Sequence, residues 1–287
     1  MASIYYTLDE VDRKKIAETK KMEKKINSLI KQKIIIQSLP SHVFVQSTKT
    51  LLPKGTKYIT FNDSFNEDIT GFIPNTVSHV FFGKNFNHSI KNCIPSSVIC
   101  LVFGDNFDQL IEDSIPNSII YLEFGFDFNK SIEGNIPSSV KYLILGYNFN
   151  QFLRIPNSVI YLKFGHYFDQ CIKGCIPDSV EYIIFGDKFN QPIENAIPEG
   201  VKYIEFGSCF DQLVEESSSL GMTLFDPEND IIPVPNIIPL NVDIDGKCIK
   251  ESKYLPNSLQ YLVFASGFSQ EIVTLRQRKN LNTIKFK

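Results

Sequence analysis

The sequence predicts a β-rich solenoid, a parallel sheet of stacked 21-residue coils behind an N-terminal capping helix. Three observations lead there. An apolar residue followed by proline recurs at Leu52-Pro53, Ile73-Pro74, Ile94-Pro95, Ile115-Pro116, Ile136-Pro137, Ile155-Pro156, Ile176-Pro177, Ile197-Pro198 and Leu255-Pro256, the prolines stepping by 21, 21, 21, 21, 19, 21, 21 and 58 residues. Between them the text stays close to I-P-x-S-V-x-Y-L-x-F-G-x-x-F-(N/D)-x-x-I, as from Ile155 to Ile172. Most of the 24 Phe fall in two columns, Phe61 to Phe264 and Phe65 to Phe268, in a chain with no Trp. A unit this short cannot bury its own apolar face, so copies must stack, each strand pairing with its equivalent about 4.8 Å away.

The elements follow in chain order. Thr7 with Glu10 three residues on makes a capping box, and Val11, Ile16, Met22, Ile26, Leu29 and Ile30 form an imperfect helical stripe. Residues 1–33 hold nine Lys/Arg and five Asp/Glu, hence +4, which leaves -7 of the total -3 for the rest. A basic cap before an acidic solenoid is the expectation, with 1–50 as helix and cap and 51–287 as the repeat domain. Ser38 to Val45 reads as a worn first coil joining the two. In each repeat the segment V-x-Y-L-x-F alternates, so that in Val98–Phe103 Leu101 and Phe103 share one face and Cys100 and Val102 the other. The Leu/Phe face is assigned to the core. The glycine that follows (Gly83, Gly104, Gly125, Gly146, Gly165, Gly186, Gly207) reads as a turn where positive φ costs little. Proline in the return stretch argues against long outer helices.

The column after the second Phe is Asn66, Asn87, Asp108, Asn129, Asn150, Asp169, Asn190 and Asp211. Asp replaces Asn freely, so an accepting oxygen is the shared requirement, and the column is assigned to backbone hydrogen bonding in a tight turn. Calcium would need several ligating oxygens per site, whereas one per coil recurs. The stretch 218–254 barely matches. The sequence favours two degenerate coils there, around a loop near Asp226–Asn236, over one long loop folded across an edge. At the far end Leu281, Ile284 and Phe286 read as a last half-strand, kept wet outside by Arg276, Arg278 and Lys279.

The recurring Phe-Asn followed by Ile-Pro resembles the FNIP repeat, a leucine-rich-repeat-like family of social amoebae and giant amoeba viruses. The resemblance covers about 52–217 and 255–273, with Phe, Asn, Ile, Pro, Ser and Gly falling into step. Departures are Leu145 where Phe is expected, Ser269 in place of Asn, and a stretch at Gln151–Arg154 two residues short. The resemblance implies a curved solenoid used for protein–protein contacts, in some members behind an N-terminal F-box that docks a ubiquitin-ligase core.

Chemistry is sparse. His42, His79, His88 and His166 lie in different coils and registers, so no base recurs beside a nucleophile. The six Cys (Cys93, Cys100, Cys171, Cys175, Cys209, Cys248) form no CxxC pair and read as small half-buried thiols. GxGxxG, P-loop and HExxH motifs are missing. The chain reads as no enzyme, with no cofactor and no metal. The strand face opposite the core stands out instead. Its first column is Tyr58, His79, Cys100, Tyr121, Tyr142, Tyr161, Tyr182, Tyr203 and Tyr261, and its second Thr60, Phe81, Val102, Glu123, Ile144, Lys163, Ile184, Glu205 and Val263. By analogy with leucine-rich repeats this is the concave surface. Tyr brings a large contact area with few rotatable bonds and a polar tip, and so broad a face is more than an inert monomer normally exposes. The candidate partner-binding residues are Tyr121, Tyr142, Tyr161, Tyr182 and Tyr203, with Glu123, Lys163 and Glu205 supplying charge selectivity. The bland reading is that these rings stack on one another to stabilise the sheet.

The expected function is therefore a noncatalytic scaffold for a protein or peptide partner. The alternatives are a substrate receptor docking on ubiquitin-ligase subunits through residues 1–50, and a carbohydrate-binding module on the aromatic platform. A net acidic solenoid without a basic stripe argues against nucleic acid, and no apolar run nears the roughly 18 residues of a membrane span. Charged residues appear before any signal-length apolar core, which reads as cytoplasmic.

Overall fold

A computed structural model describes residues 41–212, 214, 254–265 and 283–286. Among the described residues eleven strands form one sheet in which each pairs, parallel, with the next of them in sequence. They are β1 (His42–Val45), β2 (Tyr58–Phe61), β3 (His79–Phe81), β4 (Cys100–Val102), β5 (Tyr121–Glu123), β6 (Tyr142–Ile144), β7 (Tyr161–Lys163), β8 (Tyr182–Ile184), β9 (Tyr203–Phe206), β10 (Tyr261–Phe264) and β11 (Thr283–Phe286). The pairing carries the motif column by column: Tyr121 faces Tyr142, Leu122 faces Leu143 and Glu123 faces Ile144. The fold is the expected β-solenoid. The helix over 1–33 lies outside the described residues.

Each coil is a short strand closed by three turns. After Ile-Pro, the proline carbonyl accepts from the Val three residues on, as Val98 N–H to Pro95 at 3.1 Å. After the strand, the glycine carbonyl accepts from the second Phe, as Phe107 N–H to Gly104 at 3.3 Å. Before the next Ile-Pro, a third turn passes through a left-handed residue. Gly71, Gly134 and Gly174 hold it at φ of 68°, 73° and 72°, and Asn92, Asp113 and Asn195 at 59°, 52° and 53°, these being the residue types that tolerate that region.

The interior is two rows of phenylalanine. In the strand row Phe103 and Phe124 stack at 5.5 Å and 9°. In the turn row Phe107 and Phe128 stack at 6.1 Å and 10°. Within a coil the two meet, Phe103 on Phe107 at 3.9 Å. Leu145, itself buried, interrupts the strand row between Phe124 and Phe164. The Leu/Phe face is thus the core.

The glycines after the strands differ from expectation. None from Gly83 to Gly207 has positive φ. Instead a Cβ on Gly104 would fall onto the carbonyl of Gly83, and one on Gly125 onto that of Gly104. Successive coils pass here with no room for a side chain, so close approach and not turn geometry selects glycine. Positive φ is needed one turn later, at the Gly/Asn/Asp column.

Side chains stitch the coils together along two further lines. Each Asn/Asp Oδ1 of the ladder accepts the backbone N–H of its equivalent one coil on: Asn87 to Asn66, Asp108 to Asn87, Asn129 to Asp108 and Asn150 to Asn129, all at 2.9–3.0 Å. The run continues through Asp169, Asn190 and Asp211. Gln side chains donate to the same oxygens, Gln109 to Asn87 at 2.9 Å and Gln191 to Asp169 at 3.0 Å. The ladder has the structural role assigned to it. The Ser of the motif forms the second line, Ser97 donating to the Val77 carbonyl and Ser118 to that of Val98, both at 2.6 Å.

The coil with the 19-residue step has lost its third turn. Leu153 takes the buried Ile position, and Arg154 and Ile155 follow directly, with no left-handed residue between. Ile155 N–H, without a turn carbonyl to reach, donates to Cys175 at 3.0 Å. One coil-to-coil serine bond fails beside this defect, leaving the buried Ser158 hydroxyl without a partner.

Strand β1 lies inside the 1–50 segment and pairs His42 with Tyr58, so the sheet starts within the worn first coil. From Tyr203 on β9 to Tyr261 on β10 the chain steps 58 residues, yet the two face each other directly and Phe206 stacks on Phe264 at 5.6 Å. No strand is intercalated there. The two degenerate coils expected in 218–254 lie outside the described residues, as does Leu281. Ile284 and Phe286 fall on β11, which extends the sheet beyond β10.

Candidate functional site

The outward positions of the strands build one continuous surface, because a strand turns alternate side chains to opposite faces and parallel pairing aligns equivalents. All eight candidate residues lie on it. The tyrosines do not stack like the interior rings: Tyr121–Tyr142, Tyr142–Tyr161, Tyr182–Tyr203 and Tyr203–Tyr261 stand 6.3–6.5 Å apart at 32–42°. Tyr121, Tyr142, Tyr182 and Tyr203 are half-buried, whereas Tyr161 keeps only 6% of its surface. Tyr161 therefore offers a partner little more than an edge.

Burial pushes the Tyr161 phenol up to about 12, helped by the charges of Glu205 and Glu123. Burial raises Tyr121 as well, together with the Glu123 charge and its hydrogen bond. These hydroxyls stay protonated donors near neutral pH. Tyr121 donates to Glu123 Oε2 at 2.6 Å and Tyr203 to Glu205 Oε2 at 2.9 Å, so both carboxylates are held in place.

In the second column Glu123, Ile144, Lys163, Ile184 and Glu205 are consecutive partners across the sheet. Charge thus alternates minus, plus, minus, with an isoleucine between each pair, and the lysine is the exposed member. Toward the N-terminal end the surface changes character. Phe81 and Val102 are buried in a small cluster with Tyr58, Cys100 and Tyr121, separate from the main core. Burial lowers His79 from the usual histidine range, consistent with a neutral ring packed on Tyr58 at 4.9 Å.

The histidines are engaged locally: His42 Nε2 with Thr60 Oγ1 at 2.9 Å, His79 Nδ1 with Ser78 Oγ at 2.8 Å, and His88 Nε2 with the Asn66 carbonyl at 2.9 Å. His166 Nδ1 meets Asp187 Oδ2 at 3.0 Å, and Ser208 donates to Asp187 Oδ1 at 3.3 Å. This order places the carboxylate between hydroxyl and imidazole, whereas a nucleophilic triad needs the imidazole in the middle. The Ser208 N–H is the main cause holding Asp187 below the usual carboxylate range, with His166 adding to it. Cys93 and Cys175 are buried free thiols, and burial raises the Cys175 thiol.

Sequence reasoning missed a second surface. Phe126, Tyr147 and His166 directly follow the strand-exit glycines of three successive coils, and their rings stack at 4.3 and 4.6 Å. The signal was present in the column Lys84, Asp105, Phe126, Tyr147, His166, Asp187, Ser208, which varies too much to read as part of the motif.

The model of the FNIP Repeat matches residues 46–85, 86–127, 128–165, 154–188, 168–209 and 189–218, more than half of the chain. The chain belongs to the FNIP repeat family. A solved structure described as CroV588, a novel circular leucine-rich-repeat protein, is 29% identical and covers 86% of this FNIP-repeat chain and 41% of its own, with a TM-score of 0.47. The chain thus spans about two fifths of that protein's length. No curated protein matches. Among the described residues no helix is long and apolar enough to cross a membrane.

Proposed function

We propose that this FNIP-repeat solenoid is a noncatalytic scaffold that takes a protein or peptide partner on the strand face between Tyr121 and Tyr203. The observation that supports this reading is that the tyrosine column is fixed without being closed. Its rings tilt instead of stacking, stay half-exposed at Tyr121, Tyr142, Tyr182 and Tyr203, and in two coils are oriented by a carboxylate. Rings ordered before a partner arrives lose little side-chain freedom on binding. Glu123, Lys163 and Glu205 select against partners of the wrong charge pattern, because a like charge brought against them is costly.

The test is quantitative affinity capture by the full chain and by Tyr142→Ser/Tyr161→Ser/Tyr182→Ser, with Lys163→Glu as a variant that leaves every buried group in place. Proteins retained by the wild type and lost with both variants are the expected result. Recovery of the same proteins at the same yield from both variants, with unchanged circular dichroism, rules the strand face out.

A further inference from the structure

The missed row lies on the turn that leaves the strands. Phe126 and Tyr147 stack within 8° of parallel, and Tyr147 and His166 within 1°. Tyr167 stands nearly perpendicular to this stack, 5.6 Å from Tyr147 and 4.8 Å from His166. Phe126, Tyr147 and Tyr167 expose 44%, 38% and 47% of their surfaces. Single exposed rings need no explanation, but a contiguous group on one face does.

The two ends of the stack differ in a way that identifies a ligand chemistry. One coil after His166 sits Asp187, whose carboxylate takes the His166 Nδ1 contact at 3.0 Å. One coil before Phe126 sits Asp105, exposed. The Phe126 side chain has no N–H to offer it, and among the described residues the ion pairs are Lys130–Asp108, His166–Asp187 and Lys202–Glu181. Asp127, next to Phe126 in the chain, accepts from the Asn148 amide at 3.1 Å and from no cation. One end therefore carries a flat nitrogen ring lying on an aromatic face with a carboxylate at its edge. The other end carries the carboxylate and the aromatic face without the flat nitrogen group. A guanidinium is the side chain that stacks on a ring and gives a donor fork to a carboxylate at once, whereas an ammonium supplies the charge without the stacking.

We propose that this row docks an arginine-bearing basic segment of a partner protein, the guanidinium lying between Asp105 and Phe126 and the rest of the segment crossing Tyr147 and Tyr167. Charge complementarity supports it, since the chain after residue 33 carries -7 and Asp105, Asp127 and Asp187 flank the row against two lysines, Lys84 one coil beyond Asp105 and Lys188 beside Asp187. The surface is distinct from the strand face and does not depend on it.

The test is fluorescence anisotropy at low salt with a labelled Gly/Ser peptide carrying four arginines, alongside its lysine and citrulline counterparts, against the full chain. The wild type is expected to bind the arginine peptide several-fold more tightly than the lysine peptide and the citrulline peptide not measurably. Phe126→Ser/Tyr147→Ser and, separately, the fold-neutral Asp105→Asn should each weaken arginine binding about tenfold, while Tyr142→Ser on the strand face leaves it unchanged. The proposal is overturned by no binding to the wild type, by equal affinity for arginine and lysine peptides, or by equal affinity of wild type and Asp105→Asn. A dimer in sedimentation that the ring variant abolishes would also overturn it, giving the row to a second copy.

Discussion

The two faces of the sheet repeat with the same period and end up in opposite physical states. On the inner face Phe103, Phe107, Phe124 and Phe128 are almost wholly buried, with rings 3.9–6.1 Å apart and within 14° of parallel. On the outer face the tyrosines, carried by the same strands, tilt by 32–42° and, Tyr161 apart, remain half-exposed. Periodicity alone therefore says only that a column exists. Closure from water separates a column that holds the fold from one that is free to meet a partner.

The largest expected effect sets the two columns against each other. Phe107→Ala, in the interior, should cost about 3–5 kcal/mol, because it removes a large buried side chain and leaves a cavity that neighbouring coils cannot collapse into. Tyr142→Ser on the outer face should cost about 1 kcal/mol or less. Denaturant midpoints measured on both variants check the difference. Comparable losses would make the tyrosine column a second core and remove the basis for a binding face.

Next comes the glycine seam that fixes how closely coils approach. Gly104→Ala places a methyl group on the Gly83 carbonyl, and a backbone locked by strand pairing on both sides cannot yield cheaply. A loss of about 1–3 kcal/mol is expected. Gly134→Ala, where a Cβ meets nothing within 4 Å but φ is 73°, should cost about 1 kcal/mol through backbone strain. A larger loss at Gly134 than at Gly104 would mean that the seam yields readily and that close approach is not what selects glycine after the strands.

High pH probes the closed tyrosine of the outer column. Burial holds the Tyr161 phenol at about 12 in the folded chain, against about 10 for a phenol in water. Folding favours its protonated form, so its contribution is fully present below about pH 10 and is lost as pH rises from there through about 12, where the unfolded chain ionises and the folded one resists. Tyrosinate absorbance should show a late-titrating class that shrinks in Tyr161→Phe. The fall in stability between about pH 10 and 12 should become shallower in the same variant. A single titration step unchanged by Tyr161→Phe would mean that the outer column is uniformly wet.

Much of this was legible in the sequence because stacking turns a column of letters into a row of contacts. The Phe columns, the Asn/Asp oxygen requirement and the strand alternation all carry over one to one. Glycine was misread because composition shows that a side chain is missing without showing whether φ or a neighbouring backbone forbids it. The left-handed turn at Gly71, Asn92, Asp113, Gly134, Gly174 and Asn195 was hidden by its mixed composition, although Gly, Asn and Asp share that tolerance. The candidate face was correctly grouped, but the burial of Tyr161 was not readable from a column of identical letters. The Phe126–His166 row escaped because only three successive coils carry rings there, so it is a local departure from the repeat and not one of its features.

The smallest effect tests whether regularity itself closes the interior. In intact coils the motif serine donates across the seam, as Ser118 does to Val98 at 2.6 Å, and Ser118→Ala should cost about 1 kcal/mol by leaving that carbonyl short of a donor. Beside the coil that lost its third turn, Ser158 is more deeply buried than Ser118 and its hydroxyl meets no partner, so the folded state already bears the desolvation of an unmade hydrogen bond. Ser158→Ala should therefore be neutral or stabilise by up to about 1 kcal/mol. The two substitutions are chemically identical, at equivalent positions of the motif, and the preceding coil has its full length at Ser118 but not at Ser158. An equal loss at both positions would mean that the shortened coil preserves the seam after all, and that the inner face is closed at this point as tightly as elsewhere.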